Sequence, residues 1–528
     1  MTLGMPTRQD RIVRYVNAFC PPCHEEYPDR PLEDVLRLSG YLSVAEGSVW
    51  LVRGCPQHGK IVTLYDEDPE ILEYLEQWTA PTKHHMPDTD GNYDPIPSAY
   101  LQGLGEMQTQ HTCILLEEIT QECNLRCPTC FADSSPRLSG VASVRDVLAN
   151  IDRRLSREGG KIDVLMISGG EPTVHPHFLE LLDEVTDRPI TRIVVNTNGI
   201  AISRDDGLLA ALHRHNRRVE VYLQFDGFRR DTYLHHRNAD LRAMKQRAVE
   251  RLTQAEVFIT LTMTASLGVN DDEIGAVVQY ALDTPFVGGI SIQPQFGSGR
   301  SGDINPLERL THTGVLRRLG PQTEGLVTWK DLTALPCSHP HCCSVGYMIR
   351  DDSGRWRSLV ALIGHERLKQ HLDLVANRIA DDDLPREVRA AVKASLLGLL
   401  SDQTSLTHPT VGDLIKTVCE SCDLGVSSLL RIAADSGRNG TRLRDTLASR
   451  VKRITVKPFM DMNTMIEERL TQCCVHVGTK SEADLDQCAP FCAVQGWPRL
   501  GRQKLSEVAG ARIGSVPIVL TATREVPV

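Results

Sequence analysis

The chain has 528 residues, which is too long for one ordinary domain and predicts two or three. It is 41% hydrophobic, enough to bury large cores, and its net charge of −10 argues against general nucleic-acid binding. No apolar run reaches the roughly eighteen residues of a membrane-spanning helix, and no signal-peptide pattern is present. We therefore expect a cytoplasmic protein whose 16 cysteines serve metal sites rather than disulfides.

The first segment, residues 1–98, carries a metal-knuckle pattern. Cys20 and Cys23 form a C-x2-C pair, and Cys55 and His58 form a C-x2-H pair. Four such ligands suit one tetrahedral zinc or mononuclear iron. The alternative is a set of unrelated surface thiols, which the prolines and glycine beside both pairs make less attractive. A polar, proline-rich run then predicts a linker into the next domain.

The stretch ITQECNLRCPTCFADSS places Cys123, Cys127 and Cys130 within eight residues. An odd number of thiols in so short a span does not fit disulfide pairing. Three thiolates at this spacing suit three corners of a cubic iron–sulfur cluster, which leaves one iron open for a ligand. The alternative is a closed zinc loop that takes its fourth ligand from elsewhere.

A helix–strand unit follows the cysteines. An amphipathic stripe predicts the helix, and the apolar run at 162–167 predicts a strand that ends in Gly169, Gly170 and Glu171. Two glycines allow the backbone to approach a ligand closely, and a carboxylate there can accept hydrogen bonds from an ammonium group. Alone, Gly-Gly-Glu-Pro is a plausible turn. Directly after the cysteine motif, it predicts a ligand site.

Strand and helix patterns alternate from residue 113 to about residue 295. Repeated units of this kind predict an α/β fold of parallel strands with right-handed crossovers. Asn198, Asp226 and Gln293 stand at predicted strand ends, where barrels place their chemistry, although each could equally be a turn or cap residue. Cys113 lies inside the first apolar strand and is predicted to be a buried core thiol.

The last segment, residues 326–528, is rich in cysteine. Its nine cysteines are Cys337, Cys342, Cys343, Cys419, Cys422, Cys473, Cys474, Cys488 and Cys492. Two further four-iron clusters would use eight of them, and one auxiliary cluster with several free thiols is the alternative. The pairing cannot be deduced from the spacing.

The cysteine motif and the Gly-Gly-Glu-Pro strand end resemble those of the radical S-adenosylmethionine (SAM) enzymes. The resemblance implies a partial (β/α)6 barrel at 99–325 and a [4Fe–4S] cluster on Cys123, Cys127 and Cys130, whose open iron chelates SAM. The residues expected to contact SAM are Gly169, Gly170, Glu171, Asn198 and Asp226. It also implies that an electron cleaves SAM to a 5′-deoxyadenosyl radical, and that a reductant protein such as ferredoxin or flavodoxin supplies that electron.

The sequences PFMDMNTMIEERLTQCCVHV and CSHPHCC, with the N-terminal knuckle, resemble one radical SAM subgroup. It contains archaeal tetraether lipid synthase and relatives that include a proposed pterin methylase. This resemblance implies that the C-terminal segment is a Cys-rich α+β region with auxiliary clusters, and that the N-terminal metal is a rubredoxin-like iron. The sequence departs from the subgroup in the acidic segment between Cys474 and Cys492 and in the span 356–426. The resemblance therefore says least about the substrate.

The first functional hypothesis is an enzyme that joins or alkylates inert sp3 carbons of a lipid. The apolar stretch 390–400 could line a tunnel, and a basic run from Arg438 to Lys457 could meet anionic headgroups at a membrane surface. The alternative is a C-methylase of a pterin or other small soluble ring. An iron–sulfur electron carrier is disfavoured by the Gly-Gly-Glu-Pro site, and an RNA-modifying enzyme by the acidic balance. A long apolar tunnel facing Cys127 would favour the lipid, and a short polar pocket the soluble ring.

Overall fold

The computed structural model describes residues 11–28, 35–78, 112–158, 160–336, 338–351, 353–370, 448–480 and 486–497. Several expectations lie outside the described residues: the linker before residue 98, the apolar stretch 390–400, and Cys337, Cys419 and Cys422.

The N-terminal module is a four-stranded antiparallel sheet with the order β1-β2-β3-β4. Its elements are β1 (Arg11–Ala18), α1 (Pro21–Glu26), β2 (Leu38–Ala45), β3 (Ser48–Cys55), β4 (Gly59–Asp66) and α2 (Pro69–Glu76). The β2–β3 hairpin turns at Glu46 and Gly47, which have φ of 51° and 76°, the left-handed conformation that tight hairpins require. Asp68 caps α2 by accepting from the N–H groups of Glu70 and Ile71.

Six parallel strands, β5 to β10, pair in chain order and form the central sheet. They are β5 (Ile114–Glu118), β6 (Ile162–Ser168), β7 (Ile190–Thr197), β8 (Val219–Gln224), β9 (Phe258–Ala265) and β10 (Val287–Pro294). The helices between them are α3 (Val144–Arg157), α4 (Phe178–Thr186), α5 (Asp206–Arg214), α6 (Arg230–Arg237), α7 (Arg242–Gln254) and α8 (Ile274–Asp283). The predicted α/β fold, a partial barrel preceded by a metal-knuckle module, is confirmed.

The two faces of the central sheet pack against different partners. Leu165, Ile193 and Val221 belong to the main core, which also contains the apolar faces of the surrounding helices. Residues one position away, such as Met166 and Val194, belong to a second cluster on the inner face. Because side chains alternate along a strand, this division shows which positions face the barrel lumen.

The C-terminal segment extends the central sheet to twelve strands. At the β10 edge lie β11 (Thr333–Ala334), β12 (Ser344–Arg350), β13 (Trp356–Ser358) and β14 (Val451–Val456), and at the β5 edge lie β15 (Val475–Lys480) and β16 (Asp486–Pro490). The helices of this part and its approach are α9 (His312–Gln322), α10 (Leu359–Ile363), α11 (His365–Gln370), α12 (Glu467–Thr471) and α13 (Phe491–Gly496). The region beyond residue 326 thus shares the core sheet, and its predicted boundary stays a prediction.

None of the helices that the structure describes has both the length and the apolar character needed to cross a bilayer.

Candidate active site

The loop after β5 brings the three cysteines of the motif together. Cys123 and Cys127 are buried, Cys130 is half-buried, and their side chains pack in one small cluster with Leu125. Burial raises the pKa of Cys123 well above its usual value, and the neighbouring Glu171, Cys127 and Cys130 raise it further. Thiols that repel one another as anions are stabilised by a shared cationic centre. The loop therefore fits a group of three thiolate ligands, as an iron–sulfur cluster requires.

Gly169 and Gly170 hold the β6 end directly against the cysteine loop. The N–H of Gly170 donates to the carbonyl of Thr120 at 2.7 Å, and the N–H of Glu171 donates to the carbonyl of Glu122 at 2.9 Å. A Cβ atom on either glycine would clash with one of these carbonyl oxygens, and Gly169 has φ of 133°. The glycines are therefore required where the two loops touch.

The Glu171 carboxylate ties the β6 end to the β7 end. It accepts from the N–H and hydroxyl of Thr173, from the Thr197 hydroxyl at 2.6 Å and from the N–H of Asn198 at 2.7 Å. Burial raises its pKa even though these hydrogen bonds oppose the rise. All four contacts are internal, so the contact of Glu171 with SAM stays a prediction.

Asn198 joins the β7 end to the cysteine loop. Its amide nitrogen donates to the side-chain oxygen of Asn124, the neighbour of Cys123, at 2.7 Å. Its backbone carbonyl accepts from the Lys245 ammonium at 2.5 Å. Burial lowers the pKa of Lys245 to about 8. Nothing in the sequence pattern marked Lys245.

Asp226 forms a buried, bidentate ion pair with Arg237, with both N–O distances at 2.7 Å. Burial alone would raise the pKa of Asp226, but the guanidinium outweighs it and lowers the pKa to about 2. Arg237 also lies close enough to Cys127 for the charges of the two side chains to interact. The pair therefore links the β8 end to the cysteine loop, and Arg237 is a site residue that sequence reasoning missed.

A row of polar side chains lines the inner face of three neighbouring strands. Gln224 on β8 lies opposite Thr262 on β9, which lies opposite Ser291 on β10. Each carries a buried side-chain oxygen without a hydrogen-bond partner among the described residues. Their strand neighbours Leu261 and Ile290 pack outward into the main core, so the row faces inward.

Aromatic rings cluster among the residues of the inner face, and one of them, Phe131, directly follows the last cysteine of the motif. Four of the chain's ten phenylalanines meet there, with ring centroids 4.6–5.6 Å apart in successive contacts. They are Phe131, Phe296, Phe459 and Phe491. Although only 5% of the residues are aromatic, their concentration here gives this side of the lumen an aromatic wall.

The four ligands predicted in the N-terminal module converge. The ligand atoms of Cys20, Cys23, Cys55 and His58 all lie within 4.8 Å of one another. The His58 Nδ1 atom is 3.3–3.6 Å from each of the three sulfurs, close to the ~3.5–3.8 Å edges of a tetrahedron with zinc–ligand bonds of about 2.0–2.3 Å. The site thus fits one tetrahedral metal with every position filled by protein.

The C-terminal cysteines divide into two groups. Cys342, Cys473 and Cys492 interact electrostatically with one another, and Cys342 and Cys492 also interact with the buried Arg469. Cys343 and Cys474 belong instead to the main hydrophobic core. The backbone of Cys488 pairs with Gly478 across β15 and β16. We expected at least four of these sulfurs to lie in one pocket. Among the residues described, the group contains three cysteines.

Known protein families match the two regions that contain the cysteine loop and the N-terminal metal site. A family described as the radical SAM superfamily matches residues 118–281, and one described as the HMPTM N-terminal zinc ribbon domain matches residues 12–67. The chain is 25% identical over 513 residues to a 7,8-dihydro-6-hydroxymethylpterin dimethyltransferase from Methanocaldococcus jannaschii, over 93% of this chain and 94% of that protein.

Two further similarities are more partial. The mycofactocin maturase MftC of Mycobacterium ulcerans is 28% identical over 219 residues, which cover 41% of this chain and 49% of that protein. SuiB of Streptococcus suis bound to S-adenosylmethionine gives a TM-score of 0.34 at 14% identity, over 54% of this chain and 68% of SuiB. The first family match begins at the end of β5 and includes the cysteine loop, and the second contains the four-ligand site.

Proposed function

We propose that this chain, a member of the radical SAM superfamily, is a C-methyltransferase that acts on a pterin-like or similar small polar ring. The sequence hypothesis that ranked second thus replaces the lipid hypothesis. Similarity to a pterin dimethyltransferase along almost the whole length of both proteins supports it.

The polar row of the lumen is the structural observation that carries the proposal. A buried oxygen without a partner costs about 1–3 kcal/mol, so Gln224, Thr262 and Ser291 favour a ligand that hydrogen-bonds. A heterocycle with alternating N–H and carbonyl groups on one edge meets that demand, and the phenylalanine wall suits its flat face. An alkyl chain would leave all three oxygens unpaired.

Two residues of the basic run, Lys452 and Arg453, are turned into the fold. Lys452 is 1% exposed, and its ammonium donates to the carbonyls of Thr284, Val287 and Ala448 at 2.7–2.9 Å. Arg453 extends inward to the hydroxyl of Thr260. These two members of the basic run therefore stabilise the barrel and cannot contact anionic headgroups.

The cofactors of the superfamily are a [4Fe–4S] cluster and SAM, and when bound they supply an oxidising carbon radical that removes a hydrogen atom from an unactivated C–H bond. The chain's own residues then have distinct tasks. The cysteine triplet holds the cluster, the β6 loop fixes that triplet, and the lumen row orients the ring. In the proposed reaction the hydrogen of the ring C–H bond would leave in 5′-deoxyadenosine, SAM would give methionine, and the ring carbon would gain a methyl group from a one-carbon donor. A reductant protein would supply the electron that cleaves SAM and, for a donor more oxidised than methyl, the electrons that reduce the transferred carbon, with protons from water.

The test is an anaerobic assay of reconstituted protein with SAM, a chemical reductant and 7,8-dihydro-6-hydroxymethylpterin, with isotopically labelled one-carbon donors supplied in turn. We expect mass spectrometry to find a pterin heavier by one methylene unit and 5′-deoxyadenosine in proportion to it. Abundant 5′-deoxyadenosine without methylated ring, in the presence of every donor, would contradict the proposal. Coupled or alkylated lipid from the same protein would restore the first hypothesis.

A further inference from the structure

Arg469 on α12 is a buried cation that points at the C-terminal cysteines. It is 5% exposed. Its Nε atom donates to the Cys342 sulfur at 3.3 Å, and its Nη2 atom donates to the carbonyl of Pro458 at 2.7 Å. The groups that act most strongly on its charge are Cys342, Tyr65 and Cys492, and none is a carboxylate.

Two other buried arginines of the described chain are balanced by carboxylates, whereas the equally buried Arg53 donates to the Thr63 hydroxyl and the Asn463 carbonyl. Arg237 pairs with Asp226, and Arg309 pairs with Asp461 at 2.6 Å. A buried charge without a counter-ion costs several kcal/mol, so an anion beside Arg469 would remove that cost. A free thiol, with an ordinary pKa of about 8.5, is neutral at pH 7. Thiolates bound to a metal are anionic, because metal binding removes their protons.

We propose that Arg469 is a positioning residue for an auxiliary iron–sulfur centre held by Cys342, Cys473 and Cys492, whose negative charge it balances and whose reduction potential it raises. The inference rests on the assignment of these cysteines and not on the methylation reaction. A nearby cation stabilises the reduced, more negative state of such a centre, and hydrogen bonds to the sulfurs act in the same direction.

A chain of polar side chains connects the arginine with the N-terminal module. Tyr65 of the N-terminal module interacts electrostatically with Arg469, and the Tyr65 hydroxyl lies 2.9 Å from the Nδ1 atom of His341. The Nε2 atom of His341 lies 3.0 Å from the carboxylate of Glu76 on α2. The N-terminal module therefore takes part in shaping the pocket of the C-terminal cysteines.

The experiment isolates the auxiliary centre. In full-length protein with Cys123, Cys127 and Cys130 replaced by Ala, iron beyond the mononuclear site belongs to the C-terminal cysteines. We expect such iron, with an EPR signal on reduction. Arg469→Gln in this background should shift the reduction equilibrium about tenfold towards the oxidised state, which is a fall of about 59 mV for one electron. Arg469→Lys, which keeps the charge, should recover most of the shift.

Three results would overturn the proposal. They are a triple variant without iron beyond the mononuclear site, a potential that Arg469→Gln leaves unchanged, and equal potentials in the Gln and Lys variants. If the triple variant does not fold, SAM identifies its own cluster in the native enzyme, because only that signal changes when SAM is added. In either protein labelled with 15N-arginine, we expect hyperfine coupling between a guanidinium nitrogen and the EPR signal of the auxiliary centre. Its absence would contradict the contact between Arg469 and that centre. None of these readouts needs a pterin, so they fail independently of the methylation proposal.

Discussion

At the level of single residues, the Asp226–Arg237 pair connects the sheet to the cysteine loop. Asp226 is fully buried and also accepts from the N–H of Thr264 at 3.1 Å, while Arg237 interacts electrostatically with Cys127. A bidentate pair of this kind fixes both the distance and the orientation of its partners. Asp226, at the end of β8, therefore fixes the Arg237 side chain beside the cysteine triplet.

Replacement of Asp226 by Asn should destabilise the protein by about 3–5 kcal/mol, because it leaves the Arg237 cation buried without its counter-ion. Chemical denaturation measures the free energy of unfolding. Since folding lowers the pKa of Asp226 to about 2, its contribution is complete above the unfolded pKa of about 3.9 and is lost as the pH falls towards 2. Asp272→Asn, in an exposed pair with Arg229, should cost less than about 1 kcal/mol. Equal losses in both variants would show that burial is not the cause.

Thr262→Val and Ser291→Ala test the lumen row. Both substitutions remove a buried hydroxyl that lacks a partner in the described chain, so each variant should fold at least as stably as the native protein. We expect KM for the ring substrate to rise by about tenfold, the equivalent of one lost hydrogen bond of about 1.4 kcal/mol. Thr186→Val, whose hydroxyl donates to the Asp183 carbonyl on an outer helix, is the control. An unchanged KM in both lumen variants would remove these residues from the substrate site.

At the level of elements, the end of β6 is the part of the site that least tolerates a larger side chain. Gly169 and Gly170 lie against the carbonyls of Thr120 and Glu122, which belong to the segment that leads into the cysteine triplet. Two backbones in direct contact leave no room for a side chain on either. The loop that would approach SAM is thus also the loop that sets the position of the cluster ligands.

Gly169→Ala should therefore displace the cysteine loop and reduce both cluster content and SAM binding. The new Cβ would clash with the Thr120 carbonyl, at a φ of 133° that residues with a side chain rarely adopt. Iron analysis and calorimetric titration with SAM measure the two effects, and we expect each to fall by at least about tenfold, or about 1.4 kcal/mol in binding. Gly320→Ala, inside α9 with its nearest neighbour at 3.7 Å, should be neutral or stabilising by up to about 1 kcal/mol. Native iron content and SAM affinity in Gly169→Ala would refute the argument.

The elements also explain what the sequence could predict. The cysteine triplet and the β6 end are local motifs, so the sequence could predict a metal–ligand site there, and the family resemblance then predicted its chemistry. The run VFITLTMT carried a further signal, since Thr260, Thr262 and Thr264 alternate with apolar residues on a strand that is buried on both faces. Arg237 and Arg469 had no such signal, because they reach the cysteines only after the sheet has curled and the C-terminal strands have paired with it.

At the level of the whole molecule, the N-terminal module braces the other two parts. The N–H of Leu64 donates to the Pro306 carbonyl at 2.8 Å, and Asp66 accepts from the N–H and hydroxyl of Thr313 at the start of α9. Arg53 donates to the Asn463 carbonyl, in the segment that leads to Arg469. The metal site lies in the same small module, so loss of the metal should weaken these three contacts.

Loss of the N-terminal metal should therefore weaken the fold before it affects the radical chemistry. His58→Ala removes one of four ligands, and we expect it to lower the free energy of unfolding by more than about 4 kcal/mol, the range in which the loss of a structural metal falls. In the folded fraction, 5′-deoxyadenosine formation per SAM-binding cluster should stay native, since all four positions of the metal are filled by protein and none is open to substrate. His24→Ala, next to Cys23 but outside the ligand group, is the matched control and should leave metal content and stability unchanged. If His58→Ala instead abolished SAM cleavage without a loss of stability, the metal would have an electron-transfer role, and its assignment as a structural brace would be wrong.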